Sequence, residues 1–124
     1  MVIREQYNPL SEKEIHQVKD ACKIVLFRMS EQNNDCKKKL SDLVTAIFSS
    51  NLLEQAENFY TQFLNIDTII IKLQNELILL DEFLYVAKSL YAKFYQELLS
   101  KIKIAEENFN ELKGQFFDYL LGIA

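Results

Sequence analysis

The sequence predicts an all-α protein, an antiparallel helical bundle of four to five helices with room for one long, coiled-coil-like helix, and three observations predict it. Only two glycines and one proline occur in 124 residues, where average usage of roughly 7% and 5% would place about nine and six. The turns of a β-sandwich or barrel therefore lack their usual residues. Apolar residues, 49% of the chain, recur at steps of three and four, the spacing that puts side chains on one face of a helix. Charged residues of both signs, 26% of the chain, are interspersed among them, which is the balance of a chain that folds.

At this length one domain spanning 1–124 is expected, with residues 1–10 as an N-terminal extension. The first helix is predicted over 11–31. Ser11 and Glu14 form a capping box, Leu10 and Ile15 a hydrophobic staple, and Pro9 ends what precedes them. Ile15, Val18, Cys22, Val25 and Met29 then share one face, which Leu26 widens. The polar stretch Ser30 to Asp35, with Gln32, Asn33 and Asn34, predicts a short loop, because Asn and Asp favour turns by bonding their own backbone.

A second helix is predicted over 36–64, carrying Leu40, Leu43, Val44, Ile47 and Phe48 on one side and kinking or ending near residue 50 at Ser49, Ser50 and Asn51. From Leu52 onward the apolar spacing hardly breaks. An unbroken helix over 51–123 would be about 110 Å long, and Ile69, Ile71, Ile78 and Leu79 broaden its stripe beyond the thin seam of a rod. That breadth predicts burial on more than one side, so the run is divided into helices 67–99 and 102–121. The first break rests on Asp67 as an N-cap. The second rests on a stutter, Phe94 to Leu98 to Ile102, where two steps of four follow one another. Lys72 with Glu76, Lys93 with Glu97 and Lys101, and Lys103 with Glu107 stand four apart on the exposed faces.

The chain offers little for chemistry. His16 is the single histidine, Lys13 stands where a Glu-x-x-His motif needs its acid, and Cys22 and Cys36 are fourteen apart without a Cys-x-x-Cys knuckle. No metal site, cofactor or catalytic residue is predicted, and His16 is expected on the helix surface with Cys22 in the core. The adjacent acids Asp81 with Glu82 and Glu106 with Glu107 diverge by about 100° on a helix and do not converge on one substrate. An enzyme is therefore not expected. The segment Asn110 to Gly114 resembles the phosphate-accepting helix of histidine phosphotransfer domains, which carries His-x-x-Lys-Gly. Asn110 holds the histidine position, so the resemblance implies no phosphate acceptor here.

Charge points the same way. Eight Lys or Arg stand against seven acids in residues 1–50, and six against eleven in residues 51–124, so the C-terminal part repels a phosphate backbone. The basic cluster Lys37 to Lys39 lacks aromatic or Arg neighbours, and no nucleic-acid partner is expected. The densest apolar run, Leu77 to Leu99, is broken by five charges, so no membrane span is expected. With two cysteines and no secretory signal pattern, a cytoplasmic, intracellular setting with reduced thiols is the expectation.

What remains is an aromatic surplus in the later helices. Consecutive pairs such as Phe94 with Tyr95 and Phe116 with Phe117 point in different directions around a helix, so one member of each faces outward. The expected function is a non-enzymatic protein–protein interaction module, a subunit, adaptor or small regulator, binding another protein or its own copy. Tyr91, Tyr95, Phe116, Phe117, Tyr119 and Leu121 are the candidate partner-binding residues. The alternative is a bundle enclosing a small apolar ligand or cofactor among Phe59, Phe63, Phe94 and Phe109.

Overall fold

The computed structural model describes residues 12–47, 49–82 and 88–123, with the backbone alone at 12 and 88–92. Among them are three helices, not four or five: α1 (Glu12–Val44), α2 (Ser50–Glu82) and α3 (Lys88–Ile123). At 1.5 Å per residue each is about 50 Å long. Each packs against the other two around one core. Cross-helix contacts give the directions. Lys19 meets Asp81 and Lys37 meets Asp67, so α1 and α2 are antiparallel. Glu76 meets Lys101 and Phe63 meets Phe116, so α2 and α3 are antiparallel as well. Arg28 meets Glu106 and Gln32 meets Lys113, so α1 and α3 run parallel.

Helix α1 begins at Glu12, directly after the expected cap, while the capping residues Pro9, Leu10 and Ser11 lie outside the described residues. It does not stop at 31. Its buried series runs Cys22, Leu26, Met29, Asn33, Cys36 and Leu40, in steps of four and three, straight through the stretch expected to be a loop. The reason is Asn33. It is fully buried, and its Nδ2 donates to the Phe63 carbonyl oxygen at 2.9 Å and to Asp67 Oδ1 at 2.7 Å. The Lys37 ammonium binds the other Asp67 oxygen. Asp67 is thereby held in mid-α2 and does not cap a new helix. The two polar residues that look like breaks in the sequence are partners across the bundle, and each satisfies what would otherwise end the other's helix.

A break near residue 50 is present but lies earlier than Ser49 to Asn51 suggested: α1 ends at Val44 and α2 already begins at Ser50. Backbone turns from Ala46 to Leu43 and from Ile47 to Val44 close α1, and the Ser49 carbonyl accepts from Leu53 N at 3.0 Å to open α2. Phe48 lies outside the described residues. The expected break near 100–103 is absent. Ser100 Oγ bonds back to the Gln96 carbonyl within an unbroken helix. The core series of α3 runs Tyr95, Leu98, Ile102, Ala105, Phe109, Leu112, Phe116 and Tyr119, with strictly alternating steps of three and four. With Tyr95 in place of Phe94 as the inward residue, the stutter disappears.

One end of the bundle is tied by a polar contact. Lys19 of α1 pairs with Asp81 of α2, and the Tyr95 hydroxyl of α3 donates to Asp81 Oδ1 at 3.4 Å. Burial pushes the Asp81 carboxyl upward, but the hydrogen bond and charge of Lys19, the charge of Lys23 and the Tyr95 hydroxyl outweigh it and hold it below the ordinary 3.8. The unfolded chain then binds the proton more readily. Stability from this group is complete above the unfolded pKa and is lost as pH falls through the folded one. Thermal melts between pH 2 and 6 are expected to show Asp81→Asn below the parent at pH 6, with the two curves closing as the pH approaches 2.

Candidate protein-interaction face

The residues expected to bind a partner divide between core and surface. Tyr95 and Phe116 are fully buried and Tyr119 is 9% exposed, so these three build the core. The Tyr119 hydroxyl donates to the Leu52 carbonyl oxygen at 2.7 Å, and burial pushes its pKa up. Phe59, Phe63 and Phe116 pack ring on ring, with centroids 5.1 Å apart for Phe63 and Phe116 and 5.5 Å for Phe59 and Phe116. In the Phe94–Tyr95 pair it is Phe94 that faces outward. Phe117 and Leu121 do face outward, and the Lys39 ammonium lies 5.5 Å from the Phe117 ring centroid. The side chain of Tyr91 lies outside the described residues.

The groups weighed for chemistry are dispersed. His16 is exposed, and Cys22 and Cys36 are buried free thiols. Burial pushes the Cys22 thiol up to about 11 and also raises Cys36, away from the thiolate form that reactivity requires. Asp81 turns inward to Lys19 while Glu82 is exposed, and Glu106 meets Arg28 at 3.1 Å while Glu107 is exposed, so neither pair of acids converges. Lys37 is taken up by Asp67 and Lys39 by Phe117, which divides the basic cluster.

A different surface emerges between α1 and α2, on the side away from α3. Ile24 and Phe27 stand on α1 at i, i+3, and Ile71 and Ile78 on α2 at i, i+7; all four are more than half exposed. Between the helices lies an open groove of about 600 Å³ lined by Lys23, Ile24, Leu26, Phe27, Gln74, Leu77 and Ile78. Two further exposed residues, Leu64 and Tyr60, continue the α2 stripe seven and eleven residues before Ile71. The expectation that Ile71, Ile78, Ile69 and Leu79 broaden the stripe because they are buried is thus overturned: they are 40–56% exposed.

A smaller groove of about 250 Å³ lies between α2 and α3, where Leu79 and Phe94 sit beside the Glu76–Lys101 pair at 3.5 Å. Its apolar floor is flanked by charge. Of the residues that line the α1–α2 groove, Lys23 alone is charged. Among the described residues no helix is long and apolar enough to cross a membrane. Comparison with protein-family models, with curated proteins and with solved structures returns no match for this chain.

Proposed function

We propose that this protein is a non-enzymatic interaction module, a subunit, adaptor or small regulator, that works inside the cell by presenting its α1–α2 face to a helix of a protein partner. The observation that carries the reading is the exposure of Ile24, Phe27 and Ile78 along one groove, with Ile71 exposed on the same stripe of α2. Apolar side chains scattered singly over a surface are ordinary, whereas a contiguous patch rimmed by polar residues marks an interaction site. A groove between two antiparallel helices also matches the width and spacing of an amphipathic helix, which reads such a surface through anchors at i, i+3, i+4 and i+7. The alternative of an enclosed apolar ligand draws less support, because Phe59, Phe63 and Phe116 fill that part of the interior with one another's rings.

The test uses the tagged full chain as bait in a lysate of its own cells. A co-purifying chain, the protein's own untagged copy included, is expected to stay with the parent and with Ile104→Glu, a control on the outer side of α3. It is expected to fall at least about tenfold with Phe27→Glu combined with Ile78→Glu, as one buried apolar anchor is worth about 1.4 kcal/mol or more. Circular dichroism checks that all three proteins keep their helicity. Equal recovery by the parent and the double variant at equal helicity overturns the reading.

A further inference from the structure

We propose that the occupant of the α1–α2 face is a second copy of this chain, forming a two-fold dimer in which the two α2 helices cross antiparallel at Ile71. This inference rests on the interaction reading above and names its partner.

The spacing on α2 is the first ground. Leu64, Ile71 and Ile78 are seven residues apart and symmetric about Ile71. A helix that pairs with its own copy about a two-fold axis needs this self-complementarity, since residue i must meet residue j and j must meet i. Centring the axis on Ile71 sets Leu64 of each copy against Ile78 of the other, and Ile71 against Ile71. The same register sets Tyr60 against Glu82, Thr68 against Gln74 and Asn75 against Asp67. No two like charges face each other, and the Tyr60 hydroxyl meets a carboxylate that can accept from it.

Charge is the second ground. Along the outward edge of α2 the residues flanking the middle of the stripe are Thr61, Thr68 and Asn75, all uncharged, and the exposed acids Glu57 and Glu82 stand toward its two ends. Asp67 borders the same groove but is already bound by Lys37 and Asn33 of its own chain. A strongly charged partner would find no counter-charge at the middle of this seam, where Leu64, Thr68, Ile71 and Asn75 stand. A second copy presents the same uncharged middle, with Glu57 and Glu82 of α2 and Lys23 of α1 toward the ends, and sets no acid of α2 against another, although each chain carries a net charge of −4.

Area is the third. Ile24, Phe27, Tyr60, Leu64, Ile71 and Ile78 are 43–64% exposed, which leaves on the order of 600 Å² of apolar side chain uncovered when a large side chain spans about 150–250 Å². A standard interface covers about 800 Å² on each partner. The apolar stripe alone supplies roughly three-quarters of that area, leaving the remainder to its polar rim. In this arrangement each α2 lies in the other copy's α1–α2 groove, so Ile24 and Phe27 of α1 cover the facing α2 stripe and all six residues are used.

The purified full chain is expected to sediment at twice its 14.6 kDa mass at micromolar concentrations. Ile71→Glu places two carboxylates at the axis and is expected to raise the dissociation constant more than about 100-fold, giving a single-chain mass with helicity retained. Ile71→Cys is expected to yield a disulfide-linked dimer on mild oxidation, whereas Ile104→Cys on α3 is not; the native thiols are buried and do not interfere. A single-chain mass for the parent at every concentration up to about 1 mM overturns the self-pairing. If capture still depends on Phe27 and Ile78 in that case, the interaction reading stands without it. A dimer that survives Ile71→Glu overturns the proposed axis.

Discussion

Asn33→Asp is expected to cost the fold upwards of about 3 kcal/mol at neutral pH, although the two side chains have nearly the same shape. Asn33 is fully buried, and its amide nitrogen donates to the Phe63 carbonyl and the Asp67 carboxylate. An aspartate there turns a donor into a second carboxylate, buried and in contact with the first. Both effects favour its protonated form, so its folded-state pKa lies above the unfolded value. The sign follows: the folded variant takes up a proton that the unfolded chain releases, and the deficit shrinks as pH falls through that raised pKa. Below it the protonated carboxyl again donates to Asp67. Urea melts of parent and variant at pH 5, 6 and 7 are expected to converge toward the acid end, and a deficit independent of pH would show that charge is not its cause.

Phe63→Ala is expected to be comparably severe, about 3–5 kcal/mol, with a fall in melting temperature of about 12–20 °C for a chain of this size. Phe63 is fully buried, its ring meets Phe116 edge-on at 5.1 Å and stacks with Phe59 at 6.5 Å, and its backbone carbonyl receives Asn33. Truncation removes transfer energy, opens a cavity that α2 and α3 have no loop to close, and leaves the edge contact with Phe116 empty. Phe63→Leu keeps most of the volume and is expected to lose well under half as much. Calorimetry on the two variants checks the ratio; equal losses would place the effect in ring-specific contacts and not in volume.

The expected helix 67–99 is divided between the antiparallel α2 and α3, and two further positions account for the breaks that are absent from α1 and α2. Asn33 and Asp67 are poor residues for a helix interior, and on local grounds each marks a boundary. They lie thirty-four residues apart in the chain, and nothing along it announces that they meet. Tertiary pairing removes the reason for each break, leaving α1 and α2 as single 33-residue helices. At Phe94 and Tyr95 the apolar pattern fits either residue as the inward one. Choosing Phe94 creates a phase slip at Ile102 and turns Tyr95 to the surface. The structure takes Tyr95, because its hydroxyl reaches Asp81 from inside the bundle while its ring fills the core.

Which apolar residues stay exposed is partly legible in the sequence. On α3, away from the α1–α2 groove, Phe117 is the outward member of its pair with Phe116, and Leu121 is exposed as well. Ile24 and Phe27 lie off the core stripe of α1 among charged residues, a signal present in the sequence and easily passed over beside Leu26 and Met29. For Ile71 and Ile78 the breadth of the apolar stripe was visible, but breadth does not say whether a neighbour covers it.

The chain's own residues decide that it is helical, where α1 gives way to α2 and which face of each helix is apolar, because capping, propensity and three-four spacing are local properties read along one strand of backbone. Only the packed bundle decides how many helices there are, which aromatic of a neighbouring pair goes inside, and which apolar residues stay uncovered. Those outcomes depend on groups from different helices desolvating one another, and the energy of a buried polar or aromatic side chain is set by its neighbours in space, not by its neighbours in sequence.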